Sequence, residues 1–100
     1  MQLLEFASRY REFCDVKPVT LRDYVMTAAS FDAWRGRPVQ LAELSARLLN
    51  DYLTHLVDAG RAKDTVASRR RKLLVLWRAA YRQGYCPHPP DVDRVLRIRT

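Results

Sequence analysis

KDTVASRRRKLLVLWRAAYRQG, residues 63–84, is the stretch that decides the fold. At helical period it places Val66, Leu73, Leu76, Trp77 and Ala80 on one side, with Leu74 and Tyr81 widening the apolar stripe. Asp64, Ser68, Arg71, Lys72, Arg78 and Arg82 fall on the other side. A helix of this length runs about 33 Å, the width of a small domain. One helix is therefore expected to be both the spine of the core and a long basic ridge.

The segments upstream read as packing for that helix. Residues 2–14 place Leu3, Leu4, Ala7, Tyr10 and Phe13 at three-to-four spacing, which predicts a first amphipathic helix. Pro18 disfavours helix at Lys17. Thr20 is the expected N-cap of a second helix, with Thr20 and Asp23 forming a capping-box variant. That helix runs to about Arg35, turns Leu21, Tyr24, Ala28, Phe31 and Trp34 inward, and closes at Gly36. Leu41–Leu44 predicts a short helical turn. Ser45 caps a third helix, Ala46 to Ala59, whose stripe is Leu48, Leu49, Tyr52, Leu53 and Leu56. Gly60-Arg61-Ala62 is a link short enough to make the third and fourth helices neighbours. Beyond Gly84, Cys86-Pro87-His88-Pro89-Pro90 is a proline-stiffened exit, and Asp91 caps a final short helix, Val92 to Ile98. No strand pattern competes. The expected fold is all-α: a four-helix orthogonal bundle over residues 1–86, with 87–100 as the exit, tail and start of a linker.

Charge separates the two halves. Residues 1–60 carry seven basic and eight acidic side chains, a net of −1; residues 61–100 carry eleven and three, a net of +8, together the chain's +7. That asymmetry points to a polyanionic partner for the second half. All but three of the eighteen cations are arginine, the side chain suited to paired phosphate and guanine contacts. No apolar run approaches the roughly 20 residues that span a bilayer, and residues 2–8 have no signal-peptide pattern, so a cytoplasmic protein without membrane attachment is expected.

Catalytic and metal chemistry find no place in the pattern. The three glycines sit at helix ends, not in a phosphate loop. Acids are scattered, and no Ser-His-Asp or Cys-His arrangement has a recognisable context. Cys14 and Cys86 make no disulfide framework, and Cys86 with His88 lacks a second ligand pair. No cofactor or metal is expected. Trp34 and Trp77 fit core anchors better than stacking platforms.

Nucleic-acid chemistry does have candidates. Arg69-Arg70-Arg71-Lys72 occupies one turn, four side chains about 100° apart. Arg71 and Lys72 point away from the stripe; Arg69 and Arg70 flank it and run along its edges. Lys63 lies at the helix start, with Thr65 and Ser68 adding hydroxyl donors. Lys17, Thr20 and Arg22 surround the start of the second helix in the same way. Two such helix starts could straddle or enter a major groove about 12 Å wide. The alternative is a basic helical protein-interaction module that meets an acidic partner and binds no DNA.

The order of motifs adds a resemblance. Thr20 and Tyr24 match a Thr-x-x-x-Tyr start, Leu41 to Leu44 a Leu-acid-Leu element, and Tyr52, Leu53 and Gly60 a Tyr-Leu pair followed by Gly. Thr65-Val66 and then Ala80 and Gly84 match the opening and the Ala-x-x-x-Gly end of a fourth helix. In this order they resemble the core-binding, SAM-like domain of tyrosine recombinases of the phage-integrase type. Ala62-Lys63 and His88-Pro89 stand where that family usually has Ser-Pro and Asn-Pro. The resemblance implies a domain that clamps one side of a duplex at a recombination core site, acting in DNA integration and recombination beside other recombinase protomers. By position it implies DNA contacts from Thr20, Arg22, Lys63, Thr65, Ser68, Arg69, Arg71 and Lys72. The family's catalytic residues lie in a separate C-terminal domain, so this stretch resembles a bacterial or phage-encoded fragment that is not itself an enzyme. None of its five tyrosines has a nucleophile's partners.

Overall fold

Pro18 starts the second helix, three residues earlier than a Thr20 cap would. In the computed structural model, which describes residues 1–96, the helices are α1 (Leu3–Ser8), α2 (Pro18–Arg35), α3 (Ala46–Asp58) and α4 (Lys63–Arg82). Proline at the first helical position loses only an N–H that the helix would leave unbonded, and its fixed φ suits the turn. Lys17 is therefore the N-cap, extended at φ −71° and ψ 150°, and Thr20 lies inside the first turn with no capping role. The capping box forms elsewhere. Gln40 and Glu43 cap each other reciprocally at the short 3-10 turn Leu41–Glu43.

The first helix also departs from its pattern. α1 ends at Ser8, and Tyr10–Glu12 continue as a 3-10 turn. The tightening still buries Tyr10, edge-on to Phe6 with ring centroids 6.3 Å apart, while Phe13 stacks on Phe6 at 5.1 Å. The remaining elements follow expectation closely. Ser45 Oγ accepts from the Leu48 N–H at 3.1 Å, and all five predicted α3 stripe residues are buried. Gly36 and Gly60 close α2 and α3 at φ +81° and +79°, where any side chain would be strained.

α4 is the centre of the core. Val66, Leu73, Leu74, Leu76, Trp77, Ala79 and Ala80 are buried along it. Tyr81, expected to widen the stripe, is exposed, and Ala79, on the other edge of the buried face, is buried. α1 packs on α2, while α2, α3 and α1 all meet α4. An isolated antiparallel bridge, Gln2 to Gln40, ties the N-terminal residues to the connector after α2; among the described residues no strand forms. Asp32 Oδ1 supports that connector by accepting from the Val39 N–H at 2.9 Å.

The segment after Cys86 folds back instead of leaving. Trp77 Nε1 donates to the His88 carbonyl at 3.0 Å. Asn50 pairs twice with the tail, donating to Arg94 O at 2.9 Å and accepting from the Leu96 N–H at 2.6 Å. Val95 is buried. The described part of the expected last helix is a turn, in which Asp91 Oδ1 accepts from the Asp93 N–H at 3.1 Å and Asp91 O from the Arg94 N–H. Ile98 lies outside the described residues.

Glu43 joins the connector to α2, its Oε1 3.5 Å from Arg35 Nε. It accepts two N–H groups of Arg37, both at 3.0 Å, and the Gln40 N–H at 3.0 Å. The Arg37 bond chiefly holds its carboxyl below the ordinary value of 4.5. A carboxylate with a depressed folded-state pKa stabilises the fold at neutral pH and loses that contribution as pH falls through the folded value. Glu43→Gln should therefore cost about 0.5–1 kcal/mol at pH 7 and less at pH 3, read from urea midpoints. An equal cost at both pH values would remove the ion pair as its source. Leu76→Ala, which empties a fully buried site on α4, should cost about 2–5 kcal/mol. A loss below 1 kcal/mol in thermal unfolding would deny α4 its central place.

Candidate nucleic-acid interface

Helical period distributes the basic turn of α4 in four directions, and each direction has a different fate. Arg69 turns inward: its Nη1 donates to Ser30 Oγ and, at 2.8 Å, to Tyr52 Oη. Arg70 turns to the tail, donating from Nε to Leu96 O at 2.8 Å and from Nη2 to Val92 O and Val95 O at 3.2 and 3.4 Å. Arg71 faces solvent. Lys72 crosses to α2, its Nζ 3.8 Å from Asp23 Oδ2.

α2 and α4 enclose an open groove of about 350 Å³, lined by Asp23, Met26, Thr27, Asp64, Thr65, Ser68, Arg69 and Lys72. Four of the sequence-derived candidates, Thr65, Ser68, Arg69 and Lys72, thus share one surface. Arg71 lies close enough to Tyr24 for its charge to oppose the burial that pushes the Tyr24 phenol up. The basic turn of α4 therefore sits beside the first half of α2.

The two helix starts do not converge. Asp23 meets Lys72 while Ser30 meets Arg69, so α2 advances as α4 recedes. Phe13 and Cys14, just before α2, line a second recess with Val75, Arg78, Ala79, Arg82 and Gln83, in the second half of α4. Lys17 follows that recess in sequence, whereas Asp23 and Asp64, the neighbours of Arg22 and Lys63, both line the groove. Neither start carries a side-chain cap, because Lys17 and Ala62 supply no acceptor, so the first-turn N–H groups stay available. In place of two adjacent tips, the geometry offers a strip along α4 with α2 at its flank.

Arg78 and Arg82 extend the strip. Both are exposed and follow Arg71 at seven and eleven residues, on one helix face. Their helical spacing is readable in the sequence, where both fall on the polar side of the helix. Burial pushes the Tyr10 phenol well up, and Arg82 beside it works in the opposite direction. Asp23 and Asp64 oppose the strip's charge from within the groove. Among the described residues no group of His, Cys, Asp and Glu could hold a metal ion.

A family model described as the phage integrase SAM-like domain matches residues 2–93. The chain belongs to this family. No curated protein and no solved structure matches it. The match is to the SAM-like helical domain of integrases and not to a strand-exchange catalytic domain. Within this SAM-like domain, the matched region takes in all four helices and the tail as far as Asp93. No helix among the described residues is long and apolar enough to cross a membrane.

The thiols of this integrase SAM-like domain differ in access. Burial pushes the Cys86 thiol up to about 11, and its Sγ is 3.3 Å from Leu41 O. Cys14 is only half-buried and borders the second recess. A maleimide at pH 7.5 should label Cys14 first, with Cys86 reacting only on unfolding. Mass spectrometry showing equal labelling in the folded state would contradict this packing.

Proposed function

We propose that this domain binds double-stranded DNA as the core-site clamp of a tyrosine recombinase, with α4 and the adjoining part of α2 against one side of the duplex. The observation that carries the reading is the strip itself. Arg71, Arg78 and Arg82 stand exposed on one face of α4, with Lys72 beside them, in a chain that belongs to the phage integrase SAM-like family. Phosphates would be gripped by Arg71 and Lys72 and by the hydroxyls of Thr65 and Ser68, with Lys63 at one end of the strip. Lys17, Thr20 and Arg22 would reach the duplex from the start of α2. Arg69, pinned at one nitrogen, faces the groove between them. The remainder of the recombinase, with its chemistry and its protomer contacts, lies outside this domain in the same reading.

Affinity is then mainly electrostatic. If about six phosphates are neutralised, log K falls against log salt with a slope of about −5 to −6. Arg71→Glu with Lys72→Glu should weaken binding to a nonspecific 30-base-pair duplex by about 10- to 100-fold while leaving helicity and the thermal midpoint close to the parent's. Both are read by fluorescence anisotropy across a salt series and by circular dichroism. Unchanged affinity in the reversed variant would displace the interface from α4, and a parent chain that binds no duplex would sink the DNA reading itself.

A further inference from the structure

Arg69 is held unlike any other cation of the strip. Its Nη1 serves two hydroxyls at once, Ser30 Oγ on α2 and Tyr52 Oη on α3, which are themselves 2.9 Å apart. Tyr52 is fully buried, its ring 4.7 Å from Phe31 and 5.5 Å from Trp34 between centroids, so its hydroxyl is a fixed point. Among the described residues the opposite edge of the guanidinium, Nε and Nη2, meets no acceptor. That edge is not sealed, because no half-buried side-chain nitrogen without a partner is closed off from solvent. Arg69 is one of the residues that line the α2–α4 groove.

The arrangement is more than two hydroxyls need. Ser30 and Tyr52 already bond each other, and taking a guanidinium partly out of water is costly. Nor is the charge neutralised locally: of the two groove carboxylates, Asp23 pairs with Lys72 and neither pairs with Arg69. What the two hydroxyls do achieve is orientation. A long side chain that would otherwise lose rotamer freedom on binding is already ordered, with two parallel donors presented outward.

We propose that Ser30 and Tyr52 are positioning residues that hold Arg69 as a ready-made two-donor fork for a pair of acceptor atoms on duplex DNA. The inference rests on the DNA-binding reading above and adds to it which arginine is preset and by what. The acceptor pair is two oxygens of one phosphate or the O6 and N7 of a guanine, the two partners that match a guanidinium edge.

A double-mutant cycle on the 100-residue chain tests it, with anisotropy on duplexes that differ at single base pairs. Tyr52→Phe keeps the ring and removes the hydroxyl. It should weaken binding by about three- to tenfold with helicity unchanged, and should cost nothing further once Arg69→Ala is present. A loss confined to duplexes with guanine at one position identifies the base edge; a uniform loss with a salt slope shallower by about one identifies a phosphate. Should Tyr52→Phe fail to fold by circular dichroism, Ser30→Ala is judged by the same criteria. Binding by the parent that Tyr52→Phe leaves intact, or an equal loss in both Arg69 backgrounds, overturns the proposal while leaving the DNA reading in place. A parent that binds no duplex overturns both.

Discussion

A straight α-helix turns about 100° per residue, and everything in this molecule follows from applying that rotation to α4. The helix must bury Leu73, Leu76 and Trp77 under three other helices. Once that side is fixed, four consecutive basic residues cannot all face water. The sequence RRRK therefore cannot be a uniform cationic patch. It becomes one inward arginine, one arginine committed to tail carbonyls, one exposed arginine and one lysine shared with α2. The same rotation brings Arg71, Arg78 and Arg82 onto a common face across three turns, which a four-residue cluster could not do.

The energetics of the strip depend on how its cations are compensated. Lys72 and Asp23 form a loose surface pair that contributes about 0–1 kcal/mol, so a polyanion can compete for the lysine at little cost to the fold. Arg37 and Glu43 form a closer, two-pronged pair at 3.0 Å, away from the groove, where stiffness of the connector is what matters. The tight, geometrically demanding pair is thus structural. The loose one lies where a ligand would compete. The carboxylates of Asp23 and Asp64 keep the groove from being uniformly positive, which favours a partner seated in one register over one held anywhere along the ridge.

Much of this was legible in the chain. α3, with Ser45 as its cap and five buried stripe residues, follows from 3.6-residue periodicity and a short polar cap, both local signals. The core side of α4 was legible for the same reason. The start of α2 was misplaced because two local rules compete there: a threonine that could cap and a proline that suits the first turn. Proline prevails through its fixed φ. The 3-10 end of the first helix and the exposure of Tyr81 are set by tertiary packing, which periodicity does not encode. Of the site, the identity of the basic helix was readable, but the inward turn of Arg69 was not. Tyr52 reads as one more apolar stripe residue until its hydroxyl is seen against Ser30 on another helix.

Arg70 gives the cationic turn a second mechanical role. Its donors hold the carbonyls of Val92, Val95 and Leu96, while Asn50 of α3 holds Arg94 and Leu96 from the other side. The tail through Leu96 is thereby fixed to α3 and α4 at the level of the residue that precedes Arg71. Adjacent residues of one helix cannot move independently, because each is bonded into the same i to i−4 ladder. One turn of one helix thus carries both the anchor of the tail through Leu96 and an exposed cation of the strip.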